Sequence, residues 1–312
     1  MSDPPGVLYI GGWGRSGSTL LALLLGQVPG LVAVGEVREL WRRGLAEDGA
    51  CGCGERFRAC PVWSEVGERA FGGWDRLDLE AVLRARYSID RGWTIPLLSV
   101  PGAPLPGRAL LPGYLRVLER LYRACAEVSG ARWVVDSSKL ASHAMVLRRI
   151  PSLDVRVLHL VRDSRGVASS WRGRVDAGTG TDRRRALPRY GAIASSLRYD
   201  AYNTAASHLR RSMPYLRLRY EDVARQPATA LAHVLDLVGE ARDGVLGFVE
   251  GDQAVVHPTH TADGNPMRFA SGTLRIEADE AWRRGMPAAT RRVVTGLTWP
   301  WLAAYGYRQV GR

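Results

Sequence analysis

The stretch Val7 to Gly26, VLYIGGWGRSGSTLLALLLG, constrains this chain more than any other. Leu8 to Ile10 form a short apolar run of the kind that becomes a buried strand. Gly11, Gly12 and Gly14 then let the backbone turn where a Cβ would clash. From Ser18 onward, Leu20, Leu21, Leu23, Leu24 and Leu25 read as a buried helix that Gly26 ends. A strand, a glycine-rich turn and a helix N-terminus in succession aim N–H groups and the positive end of a dipole at one point. The turn is therefore an anion cradle, suited to a phosphate or sulfate group.

Gly12 and Gly17 have the spacing of a nucleotide-triphosphate loop, but Ser18, followed by Thr19, stands where the lysine of that loop belongs. Without that point charge on the β- and γ-phosphates, ordinary kinase or NTPase chemistry is disfavoured, and a shorter anion fits better. The bland alternative is a βα turn with no ligand. Three glycines, Arg15 and the hydroxyls of Ser16, Ser18 and Thr19 crowded into one turn weigh against it.

The chain has 312 residues, 46% of them apolar, enough to bury a full core as one domain over residues 1–312. The start, MSDPPG, lacks a basic n-region, and the longest unbroken apolar run, Leu20 to Leu25, is far too short to span a bilayer. A cytoplasmic protein without a membrane span is the expectation. The net charge of +12 invites a nucleic-acid reading, yet of the 43 basic residues only Lys139 is lysine. With 35 glycines alongside, that bias points to codon usage, so basicity says little about partners. It singles out Lys139 instead. Arginine cannot replace a compact ammonium at a crowded site, so the choice for Lys139 lies between chance and chemistry.

Leu31 to Val34 read as a second strand, followed by Gly35-Glu36-Val37-Arg38. A carboxylate just past a strand's C-terminal end sits where open α/β sheets bind ligands, and Glu36 could face the reactive group there. It could equally complement the dipole of the segment Val37 to Arg43. Cys51, Cys53 and Cys60 form a C-x-C-x6-C cluster that matches no common zinc spacing, with no fourth ligand obvious nearby. Free thiols in a loop packed by Phe57, Pro61 and Trp63 are the expectation, with a metal or disulfide as the minor alternative. Residues 70–113 read as an irregular insertion, helical near Asp78 to Arg86 and rich in Pro and Gly from Pro101, that covers the acceptor side or has no role. Tyr114 to Val128 carries a helical apolar stripe, with Cys125 inert inside it.

Trp133 to Val135 form a third strand, ending in Asp136-Ser137-Ser138-Lys139, where at least one serine is expected to cap a helix Leu140 to Ile150. Val155 to Val161 is a fourth strand, with His159 a packed core histidine, and it leads into Arg162-Asp163-Ser164, where Ser164 suits a helix N-cap. Arg162 could form a local ion pair with Asp163 or, with Ser170, donate to a phosphate dianion. Arg183-Arg184-Arg185 reads as a solvated surface run that could also steer an anion. A helix Tyr190 to Arg211 and a strand Leu216 to Leu218 lead to Arg219-Tyr220-Glu221-Asp222. Residues 257–282 are a Gly/Asn/Pro-rich loop, with Arg268 and Arg275 expected to be exposed in it. His257 and His260 there are rivals to Glu36 as a base.

GGWGRSGSTLL resembles the 5′-phosphosulfate loop of sulfotransferases that use 3′-phosphoadenosine 5′-phosphosulfate (PAPS), of a bacterial kind with motifs similar to those of the tyrosylprotein and carbohydrate types. The resemblance implies that Gly14, Arg15, Ser16, Gly17, Ser18 and Thr19 hold the 5′-phosphosulfate. It implies further that Glu36 is the catalytic base, oriented by Arg38 as a further catalytic residue, and that Lys139 stabilises the leaving phosphate. Arg162 and Ser170, eight residues apart, match the family's 3′-phosphate site. The segment 257–285 is similar to the lid over the donor's adenosine, with Gly264, Asn265 and Arg268 the candidates there. Tyr220-Glu221-Asp222 with Pro227 matches a segment that serves structure.

The implied fold is a three-layer α/β architecture of the P-loop class, with a mostly parallel sheet of four or five strands flanked by helices. The implied reaction is sulfuryl transfer from PAPS, as co-substrate and without a metal, to a hydroxyl of a small-molecule, natural-product or carbohydrate acceptor. Acceptor and oligomeric state are not legible in the residues. Two rivals stand beside this reading: a small-molecule kinase with a degenerate P-loop, and a non-enzymatic Arg-rich nucleic-acid binder. The missing loop lysine argues against the first, and the lack of a concentrated basic stripe against the second.

Overall fold

The computed structural model describes residues 4–100, 102–173 and 189–307, so the Arg183-Arg184-Arg185 run lies outside the described residues. Five strands, β1 (Gly6–Gly11), β2 (Leu31–Gly35), β3 (Trp133–Lys139), β4 (Asp154–Val161) and β5 (Tyr215–Arg219), form one sheet in the order β2-β3-β1-β4-β5. Every pairing in it is parallel. Parallel strands need crossovers, and crossover helices cover both faces, which is why β1 is buried along its whole length.

The two-residue alternation of β1 divides the core. Val7 and Tyr9 join Val134, Val155 and Val157 on one face, packed against the long helix Leu111–Ser129 through Leu118 and Tyr122. Leu8 and Ile10 join Val135, Leu158 and Leu160 on the other, under α1 (Ser18–Leu25) and the helix Pro227–Val238. This is the expected three-layer architecture of the P-loop class, with all five strands of the main sheet parallel. The strands therefore deliver their C-terminal ends to one edge. Gly12, Glu36, Lys139 and Arg162 each lie at or just beyond one of those ends.

Several expectations need correction at this edge. β3 runs through Asp136, Ser137 and Ser138 to Lys139 rather than ending at Val135. Neither serine caps the following helix, which spans Ala141–Leu147 and has no side-chain cap. Asp136 is the reason: its carboxylate accepts from the Ser138 N–H at 2.9 Å and the Tyr122 hydroxyl at 2.6 Å, drawing the chain end into the sheet. The N-cap of the helix Ser164–Arg172 is Asp163 rather than Ser164, accepting from the Arg165 N–H at 2.9 Å.

A second, antiparallel sheet was not foreseen. It consists of β6 (Val249–Glu250), β7 (Gln253–Val256) and β8 (Gly272–Arg275), in that order. Ala254 and Val256 anchor it in the α1-side core, and the β7-to-β8 connection crosses the edge where the parallel strands end. The described residues of the 70–113 insertion hold more regular structure than its composition suggests. They form helices Leu79–Ile89 and Ile95–Ser99 that bury Val82, Ala85, Ile89 and Leu98 in the core beside Leu118.

Candidate active site

A cavity of about 620 Å³ opens at the C-terminal edge of the sheet. That is the size of a small-molecule site. The turn after β1 supplies Gly14, Arg15, Gly17, Ser18 and Thr19 to its wall. Two backbone features shape this turn. Gly17, the residue before α1, has φ +87°, and a Cβ there would lie 2.4 Å from the Tyr220 ring. Arg15 takes φ +69°, a conformation costly for a residue with a Cβ, and its guanidinium stacks 4.9 Å from the Trp171 ring centroid. Gly17 offers no side-chain oxygen to the first-turn N–H groups of α1, and that turn holds no acidic residue. The dipole end faces the cavity without an internal carboxylate to neutralise it. Ser16 differs from its neighbours: it is buried and does not line the cavity.

Glu36 and Lys139 meet across the opening, Lys139 Nζ donating to Glu36 Oε1 at 2.5 Å and to the Ser137 carbonyl at 3.1 Å. Glu36 lies just beyond β2 and Lys139 ends β3, its neighbour in the sheet, and their side chains are only 22% and 15% exposed. Lys139, at φ +70°, is another non-glycine residue with a left-handed backbone. Its carbonyl accepts from the Gly12 N–H at 3.2 Å, so the anion turn and the lysine share one hydrogen bond. Loss of solvent pushes the Glu36 carboxyl above its ordinary value; Lys139 opposes that rise, and Asp263 and Glu39 add to it.

Arg38 lines the cavity with Glu36, and among the described residues no hydrogen bond or ion pair joins the two side chains. Its guanidinium pairs with Glu39 at 3.0 Å and Asp90 at 3.2 Å, and its own N–H donates to Ser138 Oγ at 3.0 Å. The guanidinium expected to orient the base is thus engaged by Glu39 and Asp90. Asp90 is the anchor here, since it also accepts from Ser142 Oγ at 2.5 Å and faces His143 Nδ1 at 2.8 Å. Burial alone would raise its pKa, but His143, Arg38 and Ser142 outweigh burial and hold it below the usual carboxylate value. The insertion 70–113 thus reaches the site through Asp90 and through the Arg86–Glu39 pair, and none of its described residues lines this cavity.

Arg162 points back at the glycine turn. Its Nη1 donates to the Arg15 carbonyl at 3.1 Å, its guanidinium lies 4.5 Å from the Tyr220 ring centroid, and Nη2 meets Asp279 Oδ2 at 2.9 Å. It does not pair with Asp163, which binds Arg165 instead at 2.6 Å. Ser170 lines the same cavity.

From the β7-to-β8 connection, Gly264, Asn265 and Met267 close the wall, and the Asn265 N–H reaches Thr19 Oγ1 at 3.4 Å. Arg268, expected to be exposed, is 3% exposed and sits behind the wall, donating to Asp263 Oδ1 at 3.2 Å and the Ala50 carbonyl at 2.9 Å. The reason is Asp263, whose buried carboxylate needs a cationic partner. Arg275 does line the cavity. Sequence reasoning missed Asp279, Tyr220 as a ring under Arg162, Trp171 and Asp90; hydrophobic period and motif spacing carry no signal for partners this far apart in the chain. The rival bases do not line the cavity: His257 is exposed, and His260 turns toward Cys60. His159 is the expected core histidine, between Tyr215 Oη at 2.6 Å and Asn203 Oδ1 at 2.8 Å.

Against known proteins, the chain is 30% identical over 178 residues to carbohydrate sulfotransferase 5 of Mus musculus, a match covering 51% of this chain and 43% of that protein. The chain thus spans less than half the length of this relative. Among solved structures it is similar to the sulfotransferase domain of the Synechococcus PCC 7002 olefin synthase, at 20% identity and a TM-score of 0.49 over 96% of both chains. A sulfotransferase from Mycobacterium avium gives 12% identity and a TM-score of 0.48 over 99% of this chain and 79% of that one. The sequence profile of the sulfotransferase family matches residues 5–243, most of the length, and takes in the anion turn, Glu36, Lys139 and Arg162. The chain belongs to the sulfotransferase family.

Proposed function

We propose that this protein transfers a sulfuryl group from PAPS to a hydroxyl of an acceptor. The observation that carries the reading is the convergence of three groups on one cavity: the anion turn, the Glu36–Lys139 pair at 2.5 Å, and Arg162 bonded to the turn's own carbonyl. In this reading the turn and the start of α1 hold the 5′-phosphosulfate through N–H groups and the hydroxyls of Ser18 and Thr19. Arg162 and Ser170 take the 3′-phosphate, which replaces the Asp279 carboxylate as the partner of the guanidinium. Gly264 and Asn265 cover the nucleotide. Arg268 acts as a support for that cover, through Asp263 and Ala50, and Ser16 as part of the turn's frame.

The chemistry is a single displacement. The acceptor oxygen forms a bond to sulfur as the bond from sulfur to the bridging oxygen breaks. The acceptor proton passes to Glu36, whose raised pKa suits a base working near neutrality. Lys139 offsets the charge that builds on the bridging oxygen, and adenosine 3′,5′-bisphosphate leaves. The Glu36–Lys139 ion pair gives these two groups a common position before the acceptor arrives, so much of the rate comes from alignment. No step requires a metal. A sugar hydroxyl is the first acceptor to test, on the strength of the carbohydrate sulfotransferase relative. One domain over residues 1–312 suffices for the scheme, with 257–285 as its lid.

The test is transfer from labelled PAPS to a panel of sugars and other hydroxylated acceptors, with Glu36→Gln as the paired variant. We expect roughly 10²- to 10⁴-fold loss of turnover with donor binding retained. Undiminished turnover in Glu36→Gln would remove Glu36 as the base.

A further inference from the structure

The loop from Cys51 to Cys60 takes no part in the donor site, and its chemistry is independent of the proposed reaction. A tight turn closes where Gly54, at φ +97°, donates its N–H to the Cys51 carbonyl at 2.9 Å. Cys60 occupies the N-cap of the helix Pro61–Phe71, where the positive end of the dipole favours a thiolate. His260 arrives from 200 residues further along the chain, its carbonyl accepting from Trp63 Nε1 at 2.8 Å and its Nδ1 aimed at Cys60 Sγ at 3.2 Å.

The four ligand atoms, three sulfurs and one imidazole nitrogen, all lie within 4.8 Å of one another, and this is the one such cluster among the described residues. Cys53 Sγ is 3.8 Å from Cys60 Sγ, and Cys51 Sγ is 3.9 Å from His260 Nδ1. A tetrahedral zinc ion with bonds of about 2.3 Å to sulfur and about 2.0 Å to nitrogen has edges of roughly 3.8 Å between sulfurs and roughly 3.6 Å from sulfur to nitrogen. The separations Cys53–Cys60, Cys51–His260 and Cys60–His260, at 3.8, 3.9 and 3.2 Å, fall within a few tenths of an ångström of those edges, and the widest pair, within 4.8 Å, closes by up to about 1 Å when an ion binds. Simple packing of apolar thiols accounts for buried sulfur, but it does not call for an imidazole nitrogen turned into their midst. The donor set decides the metal class: thiolates with one imidazole select zinc over magnesium or calcium. Cys51 and Cys60 are fully buried, and four protein ligands complete a tetrahedron, so the site is closed and structural.

We propose that Cys51, Cys53, Cys60 and His260 bind a structural zinc ion that fastens the β7-to-β8 connection to the Cys51–Cys60 loop. The connection beside His260 is already tied in at both sides. Gly52 donates to the Thr261 carbonyl at 3.0 Å, Ala262 to Val34 at 2.9 Å, and Glu36 to the Asp263 carbonyl at 3.3 Å. The ion therefore stiffens the backbone that carries Gly264 and Asn265 to the cavity, and braces the residue just beyond β2.

The experiment is metal analysis of the protein purified without a histidine tag under reducing conditions. About one zinc per chain is expected, lost in Cys60→Ser and retained in Cys125→Ser, whose thiol is buried in the helix Leu111–Ser129 away from the cluster. Chelation should lower the Tm by roughly 5 °C or more, and zinc should restore it. If Cys60→Ser fails to fold, the unaltered protein reloaded with cobalt should show thiolate-to-cobalt charge-transfer bands and the visible bands of a tetrahedral ion. Absence of stoichiometric zinc together with failure to take up zinc or cobalt would overturn the proposal. So would a Cys53–Cys60 disulfide in the native protein.

Discussion

Lys139 ties the backbone of the site together and, in the proposed reaction, also supplies its charge. Its left-handed backbone lets β3 end while its carbonyl holds Gly12 and its ammonium reaches Glu36. The ammonium is compact and the guanidinium is not, so Lys139→Arg keeps the charge but displaces Glu36 or the Ser137 carbonyl. We expect roughly 10²-fold slower transfer with the fold intact, read by steady-state kinetics and circular dichroism; unimpaired transfer would show that charge alone is enough. Glu36 adds a pH signature. Because loss of solvent raises its pKa and Lys139 only partly offsets that, the acid limb of kcat/KM should lie above the ordinary carboxylate value, and activity should rise as pH rises through it. A limb at or below the ordinary carboxylate value would mean that another group is being titrated. Both residues were legible in the sequence, Lys139 as the sole lysine and Glu36 as a carboxylate just past a strand. The partner of Arg38 was not, because Asp90 is 52 residues away in a segment whose composition suggested irregular chain.

Among the elements, the turn between β1 and α1 could be read almost completely from the sequence, since its conformation depends on residues within it. Gly17 answers in addition to a neighbour outside the turn. A methyl group at Gly17 would meet the Tyr220 ring at 2.4 Å as well as requiring φ +87°, and Tyr220 is the ring under Arg162. Gly17→Ala should therefore weaken donor binding roughly 5- to 150-fold, the equivalent of roughly 1–3 kcal/mol of backbone strain, as measured by calorimetry. Wild-type affinity would show that the turn tolerates a side chain there. The antiparallel sheet β6-β7-β8 was hidden for the opposite reason. Its strands are two to four residues long, too short for alternation to register, and their pairing is set by the loop they support. The same limit hid His260 as a neighbour of the cysteines: the C-x-C-x6-C spacing was visible, but its fourth member comes from a segment brought alongside by tertiary packing.

For the whole molecule, the sheet order β2-β3-β1-β4-β5 places five strand ends along one edge, so Gly14, Glu36, Lys139 and Arg162 meet at a single cavity. That architecture rests on buried polar pairs as well as on apolar faces. Burial pushes His159 down from 6.5 to about 4, so the folded state holds it neutral while the unfolded chain protonates it below about 6.5. Its contribution to stability is present above that value and is lost as pH falls toward about 4, a loss of up to roughly 3 kcal/mol. Denaturant titrations across this range should show the decline, and a flat profile would contradict it. The most direct test of the central claim, that one cavity grips both ends of a doubly charged nucleotide, is calorimetric titration with adenosine 3′,5′-bisphosphate and adenosine 5′-monophosphate. The bisphosphate should bind roughly 10- to 100-fold more tightly, from one or two charge-assisted hydrogen bonds to its 3′-phosphate, and Arg162→Ala should abolish the difference. Equal affinities in the unaltered protein, or a preference that survives Arg162→Ala, would contradict the account.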